Sequence, residues 1–279
     1  MANEETTAPT SAWLGNESLE TKSVFSEGGT SEIPFSSVGR YEDWEVVLPC
    51  ISDRVCSKYE NYVFPMYEVV FKDMSFRLPF SDFQREVFRW TKLSPSQIHP
   101  NSYAFMRAFE LVCKYLEVPA FKNVFYTIFT VQRENDWVSF RQTKKMFEIF
   151  AGKVRSFKER FLLVRPKSEA ALNTLLGVAK DGSRFPFFPL CWKQDHFCLD
   201  SRDFSQTAPS LKEEETNAYQ KICAFVQSLS RRTKTEKRGN PLMNADGTSV
   251  TDPRLINTLE LVVSEDPDDC LGSYISFLF

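Results

Sequence analysis

One proline constrains this chain more than any other residue. Pro119 separates two apolar runs at helical spacing: Phe105, Ala108, Phe109, Val112 and Leu116 before it, and Phe121, Val124, Phe125, Ile128 and Phe129 after it. A proline inside a helix removes a hydrogen bond and clashes with the preceding turn. The pattern therefore predicts two helices, 102–118 and 119–133, packed as a pair with their stripes together. Just upstream, Ser94 as an N-cap with Pro95 at the first helical position predicts a short turn over 95–98. His99 precedes Pro100 and is pushed out of the helical region, so Asn101 or Ser102 is expected to cap the longer helix. Glu110 and Lys114, four apart, are expected on its wet side.

The chain has 279 residues, 26 of them phenylalanine, and 42% are hydrophobic, so a substantial core is available. That length suits one domain of moderate size with tails, or two. A net charge of −3 excludes a wholly basic nucleic-acid coat. Charge is nonetheless polarised: residues 1–60 carry a net −7 and residues 141–167 a net +7. The seven cysteines are an odd number without framework spacing. The opening MANEETTAPT is unlike a signal or transit peptide, and no apolar run approaches the ~18 residues of a membrane helix. The expectation is an intracellular protein, nuclear or cytoplasmic, with reduced thiols and no membrane partner.

Residues 1–40, rich in Ser, Thr, Glu and Gly, are expected to be disordered. A domain is expected over 41–230. It begins with a short apolar element at Trp44, Val46, Val47 and Leu48, followed by two strand-like runs, 67–71 and 75–78, read as a hairpin. Ser81 and Gln84 form a capping box that opens a helix to about Lys92. Trp137, Val138, Ser139 and Phe140 alternate like a strand. Residues 144–165 suit a helix or turn, then a strand at 159–165. A short helix at 170–178 and a strand near 190–197 follow. Ser210 and Glu213 suggest a second capping box for a helix over 211–229, with Tyr219, Ile222, Val226 and Leu229 on one face. Residues 231–279 read as a basic linker and a loosely structured tail. There is no internal repeat. The expected class is α+β: a helix-dominated single domain with a few short antiparallel strands.

Candidate chemistry is sparse. Cys191, His196 and Cys198 have metal-ligand chemistry, but a zinc knuckle needs four ligands at C-x2-C-x4-H-x4-C spacing, and here only three lie near one another. Small apolar thiols on a half-buried strand explain them more simply. His99 reads as a loop histidine. No spacing singles out three carboxylates for two-metal phosphoryl chemistry. The acidic run at 265–269 is interrupted by Pro267 and reads as a solvated loop. Asp246, Gly247 and Thr248 are not in the order of a retroviral aspartic protease. No phosphate-binding glycine loop or nucleophile elbow is present. No catalytic residue, cofactor or metal is therefore assigned.

Nucleic acid is the remaining ligand class. The basic 141–167 stretch interleaves Phe147, Phe150, Phe157 and Phe161 with cations, of which Lys144, Lys145, Lys153, Arg155 and Lys158 are the expected contacts. Cations can neutralise phosphates while exposed aromatics stack on unpaired bases. The simpler reading places the phenylalanines in the core and the cations on its wet face. Arg231, Arg232, Lys234, Lys237 and Arg238 suit an import signal, a phosphate contact or a solvated linker.

Much of residues 54–229 resembles the gypsy-type transposon domain of plant retroelement proteins, described as gag-like. The residues that carry the resemblance are MYEVVFKDMSFRLPFSDF (66–83), SPSQIHPNSYAFMRAFELVCKYLEV (94–118), DWVSF (136–140), FKERFLLV (157–164) and FPFFPLCW (185–192), followed by the capped helix at 211–229. HPNSYAFMRAF is the most specific run, with Tyr103 where the family pattern has tryptophan. The resemblance implies origin in a mobile element and brings no catalytic residues. It implies a non-enzymatic gag-like protein, acting by self-association or by contact with RNA or single-stranded DNA. The alternatives are a DNA-processing transposase subunit and a degenerate element product with no selected activity.

Overall fold

A computed structural model describes residues 16–28, 31, 38–134, 136–192, 200–229, 231–236 and 239–263. In chain order the elements are α1 (Asn16–Glu20), β1 (Trp44–Val47), β2 (Phe64–Tyr67), α2 (Glu68–Lys72), α3 (Asp82–Thr91), α4 (Pro100–Tyr115), α5 (Lys122–Ile128), β3 (Phe129–Glu134), β4 (Trp137–Gln142), β5 (Phe161–Pro166), α6 (Glu169–Leu175), β6 (Leu176–Val178), β7 (Arg184–Pro186), α7 (Ser201–Phe204), α8 (Glu213–Ser228), β8 (Arg232–Thr233), β9 (Thr251–Asp252) and α9 (Thr258–Val263). This is the helix-dominated α+β class that the sequence predicts.

The central element is α4, and 12 of its 16 residues are buried. A helix apolar on nearly every side must be covered all round, and α2, β4, α8 and α9 all pack against it. Phe105, Phe109 and Val112 face the core as expected, at 5%, 0% and 3% exposure. The cap differs from expectation. His99, not Asn101 or Ser102, is the N-cap, and its Nδ1 accepts the Asn101 N–H at 3.2 Å. Pro100 then occupies the first helical position, where its missing N–H costs nothing.

The second expected helix is shorter than predicted. It ends at Ile128, and residues 129–134 form β3, paired residue by residue with β4 from Phe129↔Gln142 to Glu134↔Trp137. The stripe still meets α4, because Phe125 lies 5.4 Å from Phe109 and Phe129 lies 5.0 Å from Phe105, ring centre to ring centre. Helical spacing identified the buried residues, but β-branched Thr130 and Val131 with an adjacent partner strand favour extended backbone.

The expected hairpin at 67–71 and 75–78 does not form. Phe64–Tyr67 is a fully buried strand that pairs antiparallel with β5, and residues 68–72 turn into α2. β5 is the centre of a three-stranded sheet in the order β1-β5-β2. Leu78 instead bridges to Gly39, with its N–H donating to the Val38 carbonyl at 2.7 Å. The capping box at Ser81 and Gln84 opens α3 as predicted. Glu110, expected on a wet face, turns toward that box and accepts from Ser81 Oγ and, at 2.6 Å, from Gln84 Nε2.

Further along, 144–158 contains turns and bends rather than a helix, and the expected strand appears as β5. The 170–178 helix splits into α6 and β6. Residues 190–192 are not a strand, and 193–197 lie outside the described residues; β7 lies just before, at 184–186. α8 begins at Glu213, with the Glu215 carboxylate accepting the Lys212 N–H at 2.9 Å, so its box sits two residues later than predicted.

Both tails contribute more than expected. Residues 16–28 were expected to be disordered, yet they form α1 and a 3-10 turn over Val24–Glu27. Ser18 N–H donates to Asp136 at 2.7 Å, Arg54 Nε donates to the Leu19 carbonyl at 2.9 Å, and Phe25 is buried. At the other end, Ile256 bridges to Phe147 and α9 packs on α4, burying Leu261 and Val262. Residues 1–15 and 264–279, including the acidic run at 265–269 and the apolar end at 275–279, lie outside the described residues.

Candidate nucleic-acid interface

The basic stretch is shaped by two amide side chains. Gln142, at the end of β4, accepts the N–H groups of Met146 and Phe147 at 2.8 Å and donates to the Phe147 carbonyl at 2.8 Å. This folds 143–147 back on the domain, so Met146 and Phe147 are buried while Lys144 and Lys145 are exposed. Asn101 makes the second clamp, donating to the Ala151 carbonyl at 2.9 Å and accepting its N–H at 3.2 Å. Phe150 is buried beside it, and Phe157 packs edge-on against Tyr67, His99 and Trp137. Phe161 is the first residue of β5 and is fully buried. All four phenylalanines are therefore core, and none presents a face on which a base can stack.

The cations divide into two groups. Arg141, Lys144, Lys145, Lys153 and Arg155 are exposed and make no ion pair among the described residues. Arg141 and Lys145 line one open cleft of about 330 Å³ with His99, Asn101 and Gln142. Lys144 Nζ lies 4.0 Å from Cys223 Sγ on α8. Of the distal cations Arg160 and Arg165 are neutralised, whereas Lys167 donates to the Tyr41 carbonyl at 3.0 Å and lies 4.0 Å over its ring. Arg160 Nε donates to buried Glu68 at 2.6 Å, and Arg165 pairs with Glu45. Lys158, an expected contact, falls in the paired group: Nζ lies 2.5 Å from Glu17 and 4.2 Å over the Trp137 ring. Arg141 is the cation that the predicted contacts omit. Its signal is the alternation of β4, in which Phe140 points in and its neighbour points out.

The other candidates are structural. His99 caps α4. Among the described residues no group of three or more His, Cys, Asp or Glu side chains is placed to hold a metal ion. Cys191 is half-buried, and His196 and Cys198 lie outside the described residues. Burial pushes the Cys56 and Cys113 thiols up to about 12, which keeps them protonated and unreactive. Asp246 is a turn residue whose Oδ1 accepts from the N–H and hydroxyl of Thr248. In the basic linker Arg231 donates to Thr251 and Lys234 pairs with Asp252; Lys237 and Arg238 lie outside the described residues.

The molecule is thus a helix-dominated α+β fold with an exposed cationic segment at 141–155. Residues 66–133 match the family described as "Putative gypsy type transposon". The chain carries a gypsy-type transposon-related domain. The match runs from β2 into β3 and contains the 66–83 and 94–118 segments, whereas 136–140, 157–164 and 185–192 lie beyond it. No curated protein and no solved structure matches the chain. None of the free cations of 141–155 falls inside the matched residues, so the family match assigns them no role. Among the described residues no helix is long and apolar enough to cross a membrane.

Proposed function

We propose that this protein is a non-enzymatic, gag-like protein of plant retrotransposon origin. It contacts RNA or single-stranded DNA with little sequence preference, self-associates, and works in the nucleus or cytoplasm. The observation that carries this reading is the set of five exposed cations that make no ion pair among the described residues, Arg141, Lys144, Lys145, Lys153 and Arg155, on a segment whose phenylalanines are buried. Such cations meet phosphates and release counterions, which gives affinity without base readout.

The test is fluorescence anisotropy with a single-stranded RNA at two salt concentrations. Wild type should bind, and should weaken steeply with salt. Reversing Lys144, Lys145, Lys153 and Arg155 to glutamate should lower affinity and flatten the salt slope by about 0.7 for each phosphate no longer neutralised. Equal binding by both proteins removes this segment as the binding surface. Light scattering after size exclusion, with and without RNA, tests self-association. Metal-dependent nicking of DNA would instead support a DNA-processing transposase subunit.

A further inference from the structure

A second cleft, of about 810 Å³, opens between the 58–62 turn, the end of α3 and residues 186–191. That volume suits a small organic ligand or a short piece of polymer. Lys58, Arg89 and Lys92 line it against one carboxylate, Glu60, so the lining favours an anion. Its apolar part is mostly aromatic rings and prolines, with Leu190 and Cys191 beside them. Prolines donate no backbone hydrogen bond, so the wall offers flat faces and charge rather than a ladder for an extended peptide.

The backbone around this cleft is unusual. Val63 N–H donates to the Glu60 carbonyl at 3.1 Å, closing a turn whose central residues, Asn61 and Tyr62, have φ of 53° and 60°. Turns with both central residues at positive φ favour Asn-Gly. Here a tyrosine takes the glycine position, and it is 37% exposed at the cleft. Neighbouring Tyr59 is anchored through its hydroxyl to the Arg54 carbonyl at 2.7 Å, whereas the Tyr62 hydroxyl makes no hydrogen bond among the described residues. Lys92 ends α3 at φ 57°, again where glycine is usual. Side chains held in this region at a cost commonly belong to binding sites. Arg89 pairs with Glu86 at 3.3 Å and lies over Phe187 at 4.7 Å, a ring that Arg85 also meets at 4.5 Å, and its side chain is 57% exposed, which gives it surface for a second stack.

We propose that this cleft holds one or two nucleotides of a single-stranded nucleic acid. A base stacks on Tyr62 and on the outer face of Arg89, and phosphates meet Lys58 and Lys92. The inference shares with the reading above only the class of partner, because none of the 141–155 cations lines this cleft.

The test uses a 5′-phosphorylated diadenylate, too short to bridge the two surfaces, and the full-length protein observed by amide NMR titration. Saturable shifts at 58–62 and 89–92 are expected. Tyr62→Ala should weaken binding about tenfold, within the range of base–aromatic stacking, while Tyr62→Phe retains it. Lys58→Glu with Lys92→Glu should weaken binding and remove its salt dependence. Tyr62→Gly should weaken binding as much as Tyr62→Ala without lowering the melting temperature, since glycine relieves the positive φ; this separates a missing stack from a failed fold. The quadruple reversal in 141–155 should leave diadenylate binding unchanged while long RNA binds less. Absence of saturable shifts at these residues, or equal binding by folded Tyr62→Ala, overturns the proposal. Displacement of diadenylate by an equimolar acidic, aromatic-rich peptide would assign the cleft to peptides instead.

Discussion

At the scale of single residues, the signature run of the matched domain is held by buried hydroxyls and indoles. Trp137 Nε1 donates to Tyr67 Oη at 2.6 Å, and Tyr67 donates to the Ser96 carbonyl at 2.7 Å. Trp192 Nε1 donates to Ser96 Oγ at 2.8 Å, and Tyr103 donates to the Pro95 carbonyl at 2.7 Å. Tyr67 and Trp192, distant in sequence, and the nearby Tyr103 thus secure the 95–97 turn, where an unmade bond would not be replaced by water. Tyr67→Phe strands the Trp137 N–H and should cost about 1–3 kcal/mol in urea unfolding. Phe109→Ala should cost about 3–5 kcal/mol in the same measurement, because a fully buried ring leaves a cavity. Glu110 gives a pH signature. Burial raises its carboxyl, partly offset by hydrogen bonds from Ser81 and Gln84 and by the Arg107 charge. The folded state therefore holds this proton more tightly than the unfolded chain. Its contribution to stability is greatest below the ordinary value of 4.5 and declines as pH rises above it. The stability difference between wild type and Glu110→Gln, followed from pH 4 upward, should fall across that window.

At the scale of elements, α3 and α4 are joined by a helix cap that also binds a carboxylate from its neighbour. Ser81 Oγ accepts the Gln84 N–H at 3.2 Å and donates to Glu110, so Ser81→Ala removes a cap and an inter-helix bond together. The expected cost is about 1–2 kcal/mol by thermal or urea unfolding. The Gly39–Leu78 bridge is limited by space rather than by dihedral. A Cβ at Gly39 would lie 2.7 Å from Trp44 Cδ1 and 2.9 Å from the Leu78 carbonyl oxygen. Gly39→Ala should therefore destabilise by about 1–3 kcal/mol, as overpacking does. The capping box of α3 was legible because every participant lies within four residues. The fate of 129–134 was not, because Phe129 suits either a helical stripe or a strand, and pairing with β4 decides between them.

At the scale of the whole molecule, an acidic segment near the N-terminus closes over the distal part of the basic stretch. Glu17 binds Lys158 and the Ser18 N–H binds Asp136, placing α1 beside Trp137. The polarised charge of the sequence is therefore partly discharged by ion pairs, and among the described residues the cations of the basic stretch that keep no ion pair are those of 141–155 and Lys167. This separates two kinds of cation by experiment. Lys153→Glu with Arg155→Glu should change stability by no more than about 0.5 kcal/mol, as exposed sites do. Lys158→Glu should cost roughly 1–2 kcal/mol, because it puts like charge against Glu17 and removes the cation from the face of Trp137. Urea unfolding of the two variants side by side checks this.

Local rules were enough to determine the α4 stripe, the α3 cap, the 95–97 turn and the strands at β4 and β5, since spacing, caps and β-propensity act over a few residues. They also placed the four phenylalanines of the basic stretch in the core. Only the tertiary structure decided that β2 pairs with β5 rather than with its own neighbour, that residues 16–28 and 256–263 close on the domain, and which cations keep their charge free. Each of these depends on a partner about a hundred residues away, Glu17 for Lys158 or Phe147 for Ile256, and no local pattern names such a partner. The cleft at Tyr62 is of the same kind: its aromatic and cationic residues come from three distant segments, and folding alone brings them to one wall.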